Sequence, residues 1–325
     1  MNSRVLPFLA LLSLATSAFG QAQPTPPPDV ATGELTTSFE FKDGDNVVLL
    51  GGTLIEREQR YGTFETALTL ATADKKVTVR NLAWSGDTVH GDARSYFGPP
   101  AEGLQRLATQ LELVKPTVVL LNYGTDFAHA SLKGLPAFLS AYRDLIISIR
   151  QKAPGVRLIL TTPPPMENLG APLPDQDGAN KKLASLREAL VQLSRSQNAF
   201  LLDWFELMGG VPKPGRVQAP LTENGIHYTE KGYQKLAAVT LKALALTTPD
   251  APTAQVEELR EEILKKNFLF FNRYRPHNET YLFGFRKHEQ GQNGKEIPMF
   301  DPIIAEADQK IHALKLKAIG AAQRP

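Results

Sequence analysis

The chain contains no cysteine, which excludes disulfide bonds, thiolate nucleophiles and cysteine–zinc sites. It also has almost no excess charge, because 36 Lys and Arg residues stand against 34 Asp and Glu residues, a formal net charge of +2. No global electric field therefore favours nucleic acid or an acidic membrane surface as a partner. The few histidines show no pair at metal-ligand spacing, so the sequence predicts no metal site and no other cofactor.

The sequence also lacks a long apolar run. Roughly 20 consecutive apolar residues are needed to span a bilayer, and no run in this sequence is that long. The first 20 residues combine a positive Arg4, an apolar stretch from Val5 to Leu14, and small residues at Ala18 and Gly20. This pattern predicts a secretory signal peptide over residues 1–20. Without a cysteine after it, a bacterial lipid anchor is excluded. We expect an exported protein, periplasmic or extracellular, with no membrane anchor after cleavage.

Proline-rich residues 21–38 favour extended structure and offer no core, so we predict a linker there. From Phe39 onward, short apolar runs alternate with amphipathic stretches of helical period. Such alternation predicts an α/β protein with a parallel sheet covered on both faces. The predicted strands are NVVLLGG, VTVRNLAW, TVVLLNYG, VRLILTTPPP and AFLLDW, and the predicted helices cover Leu54–Ala73 (interrupted near Gly62), Ala101–Val114, Leu135–Lys152, Asn180–Gln197 and Thr229–Leu246.

A second proline-bearing link follows Leu246 and separates a main domain, residues 39–247, from a C-terminal extension, residues 248–325. The extension carries a helical pattern over Val256–Phe271 and another over Asp301–Lys317. It is too small for a confident core of its own, so we expect it to pack on the main domain.

Four loops carry the residues that could do chemistry, and each follows an apolar run or precedes a helix. Ligands of open parallel sheets bind where the carboxyl ends of the strands meet such loops. The loops are Gly51-Gly52-Thr53, the segment NLAWSGDTV with Gly86, the segment NYGTDFA with Asp126, and the segment ENGIHYTEKGY with Asn224 and His227.

In this order, the four segments resemble the sequence blocks of the SGNH (GDSL) hydrolase family, over roughly Phe39 to Leu246. Family members carry Gly-Asp-Ser in the first block, a glycine in the second, Gly-x-Asn in the third and Asp-x-x-His near the end. The resemblance implies a three-layer α/β/α sandwich with a parallel five-stranded sheet, flavodoxin-like in outline, plus the C-terminal helical extension. That extension resembles one found on a subgroup of secreted bacterial SGNH-like proteins.

The resemblance also implies roles for individual residues. Thr53 stands in the position of the nucleophilic serine, His227 in that of the catalytic histidine, and Asn224 in that of the triad aspartate. Gly86 and Asp126 stand at oxyanion or substrate-binding positions, and Gly52 lies beside them in the first block.

Three of these positions differ from the family pattern. Threonine keeps a hydroxyl but has a stiffer, more crowded side chain. Asn224 supplies no charge to stabilise an imidazolium, and the equivalent exchange in a serine protease costs about 10⁴ in rate. Asp126 has no proton to donate to an oxyanion unless it is protonated.

Two functions follow from this pattern. The first is an exported ester hydrolase that removes acyl or acetyl groups from a small molecule or a glycan. Thr53 would attack, His227 would act as base and then acid, and Gly86 with the Thr53 backbone amide would hold the oxyanion. The second is a catalytically degenerate module that binds a glycan or a protein partner. The oligomeric state is not indicated by the sequence.

Simpler interpretations of the same residues stay open. Thr53 could be a helix N-cap, Gly86 could only permit a tight turn, Asp126 could be a helix cap and His227 could be structural. Glu56 and Arg57 favour ion pairs over catalysis. A basic residue of the extension could also reach Asp126, and the candidates are Arg273, Arg275, Arg286 and Lys287.

Overall fold

The computed structural model describes residues 36–213 and 215–322. The predicted signal peptide and nearly all of the predicted linker lie outside these residues. The described chain contains a five-stranded parallel sheet in the order β2-β1-β3-β4-β5. Its strands are β1 (Asn46–Gly51), β2 (Thr78–Asn81), β3 (Val118–Asn122), β4 (Arg157–Thr161) and β5 (Phe200–Leu202).

Helices connect the strands and form the extension. The first group comprises α1 (Thr53–Glu58), α2 (Thr63–Ala71), α3 (Pro100–Val114), α4 (Leu135–Lys152), α5 (Asp177–Ser196), α6 (Trp204–Leu207) and α7 (Glu230–Ala243). The extension contains α8 (Thr253–Tyr274), α9 (Glu279–Leu282), α10 (Lys287–Gln290) and α11 (Phe300–Ala322).

Both faces of the sheet are covered, which explains why its strands are almost uniformly apolar. Alternate residues of a strand point to opposite faces. In β1, Val48 and Leu50 pack with α3, α4 and α5, whereas Val47 and Leu49 pack with α1, α2 and α7. The three-layer α/β/α sandwich predicted from the sequence is therefore confirmed.

The strand order places the functional loops. The chain passes from β1 to β2 on one side of the sheet and then returns to β3 on the other side of β1. The loops after β1 and β3 therefore diverge at a topological switch point, and a crevice opens between them.

The extension packs on the main domain through α8 and α11, which lie against each other and against α2 and β2. An apolar cluster joins Leu70 of α2 to Leu259 and Ile263 of α8 and to Ile311 of α11. Buried charges join them as well, because Lys266 Nζ donates to Glu65 Oε1 at 2.6 Å and to the Val79 carbonyl at 2.9 Å.

No helix within the described ranges is both long enough and apolar enough to cross a membrane.

Candidate active site

The first loop ends β1 on two glycines because β3 runs very close to it. A Cβ added to Gly51 would lie only 2.3 Å from the Asn122 carbonyl oxygen. Gly52 donates its N–H to the same oxygen at 3.3 Å and is the N-cap of α1. Its N–H is thus already used, and Gly52 forms part of the site wall rather than a donor to an oxyanion.

Thr53 is the first residue of α1 and is not its N-cap, so the simpler interpretation of this threonine is wrong. Its Oγ1 accepts a hydrogen bond from the backbone N–H of Gly86 at 3.0 Å. The first and second loops, predicted to act together, are therefore in direct contact through a hydroxyl and a backbone donor.

The second loop, Trp84–Asp87, is a tight turn in which the Asp87 N–H donates to the Trp84 carbonyl at 3.0 Å. Gly86 is its third residue and has φ +76°, the left-handed region that glycine adopts without a steric cost. Below the turn, the Asp87 carboxylate is buried and accepts from Arg94 Nε at 2.6 Å and from the Tyr123 hydroxyl at 3.2 Å. These contacts fix the turn and so fix where the Gly86 N–H lies.

The third loop follows β3 and contains Gly124 at φ +107°. Asp126 lies in the short 3-10 helix Thr125–His129, whose N-cap is Gly124, so Asp126 is not the cap. Burial raises the pKa of the Asp126 carboxyl above its usual range, and the negative Asp92 nearby adds to the shift. Asp126 is therefore protonated more readily than an exposed aspartate, and in that form it can donate a hydrogen bond.

The fourth loop holds Asn224 and His227 in contact. The backbone N–H groups of Ile226 and His227 donate to Asn224 Oδ1, at 3.1 Å and 2.8 Å. The amide nitrogen is then the atom that faces His227 Nδ1, at 3.3 Å. Because an amide NH₂ only donates, Nδ1 must present its lone pair, and the neutral ring then carries its proton on Nε2.

This tautomer is the opposite of the one that a triad aspartate imposes, in which Nδ1 carries the proton and Nε2 is free to act as base. The described residues show no hydrogen bond between Thr53 Oγ1 and the His227 ring. Asn224 therefore favours the tautomer of His227 whose Nε2 carries a proton, and in this tautomer Nε2 cannot accept the proton of the Thr53 hydroxyl.

Burial and the cation of Arg57 together lower the pKa of His227 below its ordinary value of about 6.5, and the Glu223 carboxylate opposes them. Arg57 Nη2 donates to both carboxylate oxygens of Glu223 at 3.0 Å. His227 is therefore neutral at neutral pH, as a general base must be.

All four loops meet at one cavity of about 210 Å³. Its lining includes every residue predicted for the site except Asn224, which lies behind His227: Gly52, Thr53, Gly86, Asp126 and His227. The roles assigned to these residues stay predictions, because their placement alone does not test them.

Sequence reasoning missed the apolar wall of the cavity and the residue that shapes its fourth loop. The wall includes Pro164, Pro165 and Met166, which follow β4 in the run TTPPPM. Next to them, the Glu167 carboxylate accepts hydrogen bonds from the backbone N–H groups of Leu221 and Thr222, at 3.0 Å and 2.9 Å. The proline run was a usable signal for a loop at the site, but nothing in the sequence pointed to Glu167.

The proposal that a basic residue of the extension pairs with Asp126 is wrong. Arg273 pairs with Asp301 and Arg286 with Glu289, whereas Arg275 lies 3.9 Å from Glu56. None of these arginines, nor Lys287, forms an ion pair with Asp126 in the part of the chain that the structure describes. These arginines of the extension instead lie near other carboxylates.

Comparisons with known proteins identify the family and the fold. Residues 48–235 match the model of the GDSL-like lipase/acylhydrolase family. A search of curated proteins finds no match. Among solved structures, the chain resembles a gut microbial diltiazem-metabolizing enzyme, with a TM-score of 0.58 and 9% identity over 88% of this chain and 97% of that one.

Two further structures are similar over the main domain. A catalytic mutant of an acetylxylan esterase from Geobacillus stearothermophilus has a TM-score of 0.50 and 16% identity, covering 64% of this chain and 98% of that chain. A protein described as a GDSL-like lipase from Parabacteroides merdae has a TM-score of 0.50 and 18% identity, covering 65% and 100%. At such identities these likenesses concern the fold alone. Because the family model covers more than half of the chain, the protein belongs to the GDSL-like lipase/acylhydrolase family and is a hydrolase of ester bonds.

Proposed function

We propose that the protein removes small acyl groups, acetyl above all, from a carbohydrate or other small-molecule ester, with Thr53 as nucleophile. The observation that carries this proposal is the hydrogen bond from the Gly86 N–H to Thr53 Oγ1, inside the cavity that His227 also lines. A donor already placed beside the attacking oxygen is close to where the oxyanion develops.

The chemistry balances with groups of this chain. Thr53 Oγ1 bonds to the ester carbonyl carbon while its proton passes to His227. The carbonyl oxygen becomes an oxyanion that accepts from the backbone N–H groups of Gly86 and Thr53. Collapse breaks the ester bond, His227 returns its proton to the leaving alcohol, and water then releases the acyl group from Thr53 by the same path.

The cavity limits the acyl group. At about 210 Å³ it is smaller than the roughly 300–1,000 Å³ of pockets that take drug-sized ligands, which suits a short acyl chain. Leu54, Pro165, Met166 and Ile226 give it an apolar wall. The acetylxylan esterase among the similar structures supports acetylated carbohydrate as the substrate class. The predicted signal peptide supports export to the periplasm or the outside of the cell.

Turnover is expected to be slow, because only the minor tautomer of His227, with its proton on Nδ1, has a free Nε2 that accepts the Thr53 proton.

The test compares the wild type with Thr53→Ala and His227→Ala on p-nitrophenyl acetate and on acetylated xylo-oligosaccharides. Either substitution should lower kcat/KM by about 10², which is what is left of the roughly 10⁶ that a nucleophile and its base supply together once about 10⁴ is lost through the Asn224 tautomer. Thr63→Ala, a change of the same kind at the start of α2, is the matched control and should leave kcat/KM unchanged.

A Thr53→Ala variant as active as the wild type would disprove the nucleophile. A wild type that turns over none of these esters, but binds the oligosaccharides equally well with and without Thr53 and His227, would support the binding module instead.

A further inference from the structure

The end of α8, in the extension, lies against the second loop of the site. Arg275 follows α8 directly and is 7% exposed. We propose that Arg275 is a positioning residue that holds the second loop, Trp84–Asp87, so that the Gly86 N–H stays aimed at the Thr53 oxygen. The proposal rests on the proposed function only in giving Gly86 an oxyanion role.

The first contact is with the ring of Trp84. The Arg275 guanidinium lies 5.0 Å from the Trp84 ring centroid and 4.2 Å from that of Phe271, on α8. The Arg94 guanidinium also lies over Trp84, at 5.5 Å. Two cations therefore contact the first side chain of the turn, and the face of its ring attracts both of them.

The second contact runs through Glu56 of α1. Arg275 Nη1 lies 3.9 Å from Glu56 Oε1, and Glu56 Oε2 accepts a hydrogen bond from the Ser85 hydroxyl at 2.7 Å. Ser85 is the residue directly before Gly86. Arg275 thus acts on the turn both at Trp84 and, through Glu56, at Ser85.

A third connection reaches the other end of the turn. The carbonyl of Tyr274 accepts from Gln110 Nε2 at 3.1 Å, and Gln110 Oε1 accepts from Arg94 Nη1 at 3.3 Å. Arg94 in turn donates to Asp87, the last residue of the turn, at 2.6 Å. The C-terminal end of α8 therefore connects with both ends of the second loop.

Burying the charge of an arginine at this position costs free energy, unless the shape of the guanidinium allows contacts that offset this cost. Burial lowers the pKa of Arg275 to about 10, so the side chain still carries its charge at neutral pH. Among the described residues its Nη2 has no hydrogen-bond partner, although it is buried. A flat guanidinium contacts two aromatic rings while reaching Glu56, which neither lysine nor an apolar side chain does.

The test uses Arg275→Gln, Arg275→Lys and Glu56→Gln in the full chain, with Arg273→Gln as the matched control. Arg273 lies on the last turn of α8 and pairs with Asp301, away from the second loop. Kinetics are measured on p-nitrophenyl acetate. Acrylamide quenching of fluorescence reports on Trp84, because the only other tryptophan, Trp204, is fully buried.

We expect Arg275→Gln to lower kcat about tenfold with KM changed less than about twofold, since a donor shifted by a fraction of an ångström is lost only in the transition state. Quenching of Trp84 should rise in the same variant. Glu56→Gln should likewise lower kcat and raise the quenching of Trp84. Arg275→Lys should have a lower kcat than the wild type. Arg273→Gln should change neither.

An Arg275→Gln variant that melts earlier but keeps the wild-type kcat and Trp84 quenching would overturn the proposal, because the arginine would then only stabilise the fold. If the wild type has no esterase activity, the proposed function fails separately. In that case quenching alone decides, with a rise in Arg275→Gln and Glu56→Gln supporting the positioning role and no rise overturning it.

Discussion

Two sides of the cavity differ in the chemistry that their hydrogen bonds suit. One side consists of the loops with Thr53 and Gly86, and the other is the loop with His227. On the first side, a backbone N–H already touches the hydroxyl at 3.0 Å. On the second side, the Asn224 amide nitrogen faces His227 Nδ1 at 3.3 Å and selects the tautomer that cannot act as base at Nε2. The Thr53 side suits the proposed ester hydrolysis, whereas on the His227 side one atom, the amide nitrogen of Asn224, opposes it.

The presence of a histidine at this position therefore does not determine which of its ring nitrogens carries the proton. Asn224 stands where the resemblance places a triad aspartate, and its oxygen accepts the same kind of backbone hydrogen bonds that a carboxylate would accept. The two side chains differ only in the other terminal atom, which is an amide nitrogen in Asn224 and a carboxylate oxygen in an aspartate. Because that atom donates rather than accepts, the proton on the ring moves to the other nitrogen.

The largest expected effect comes from correcting that atom. Asn224→Asp should raise kcat/KM by about 10²–10⁴, because a carboxylate accepts from Nδ1–H, restores the productive tautomer and stabilises the imidazolium. Steady-state kinetics on p-nitrophenyl acetate measure the change. Asn293→Asp adds the same charge at an exposed position of the extension and should have no effect. Equal activity of Asn224→Asp and the wild type would mean that the two sides of the cavity do not work together.

A smaller gain is expected at Asp126, on the third loop. In the wild type, Asp126 donates only when protonated, so its contribution disappears as pH rises through its raised pKa. The amide of Asp126→Asn donates at every pH and should raise kcat by about 10- to 100-fold near neutral pH, a part of the 10²–10³ that one oxyanion donor supplies.

The pH profile provides the check on Asp126. The loss of activity with rising pH should be present in the wild type and absent in Asp126→Asn, whereas the acid limb set by His227 should stay in both. Two identical profiles would show that Asp126 does not face the reacting oxygen.

The smallest effect concerns the charges behind His227. Its base form is lost when pH falls through its pKa, so activity should decline on the acid side, below the ordinary histidine range. Arg57→Gln removes a nearby cation, stabilises the imidazolium and should move this acid limb to higher pH. Glu223→Gln removes the opposing anion and should move it to lower pH.

These shifts are read from kcat/KM measured across the acid range, with Arg60→Gln, an exposed arginine close by on the chain, as control. Shifts of the same sign for Arg57→Gln and Glu223→Gln would contradict the electrostatic explanation and point to a change in the shape of the fourth loop.

The sequence was sufficient for the fold because its signals are periodic. Helix α4 has the predicted bounds, Leu135–Lys152, and Thr229, where the last helix of the main domain was predicted to begin, is the N-cap of α7 and accepts from the Gly232 N–H. The second strand was predicted too long. It ends at Asn81, whose side chain accepts from the Ala83 N–H and donates to the Ile55 carbonyl, although the Leu82 and Trp84 N–H groups still donate to carbonyls of β1. An apolar pattern does not reveal such a side-chain turn.

The site was predictable only as a set of positions. Motif order placed Thr53, Gly86, Asp126 and His227 around one cavity, but the partner of each side chain depends on loops without a period. The buried contact between Arg275 and Glu56, and the carboxylate of Glu167 under the fourth loop, join residues that no spacing rule relates. Tautomer and pKa follow from such contacts, so they required coordinates.

The buried amine of Lys266 has a consequence for how the chain folds. Glu65 is only 3% exposed and has its cationic partner 201 residues later in the sequence, and Arg80 finds Asp308 after 228 residues. During synthesis, the residues of α2 and β2 therefore leave the ribosome long before their buried charges can be neutralised. Contacts closed over such distances slow folding, and we expect the early part of the polypeptide to stay loosely ordered until α8 and α11 arrive.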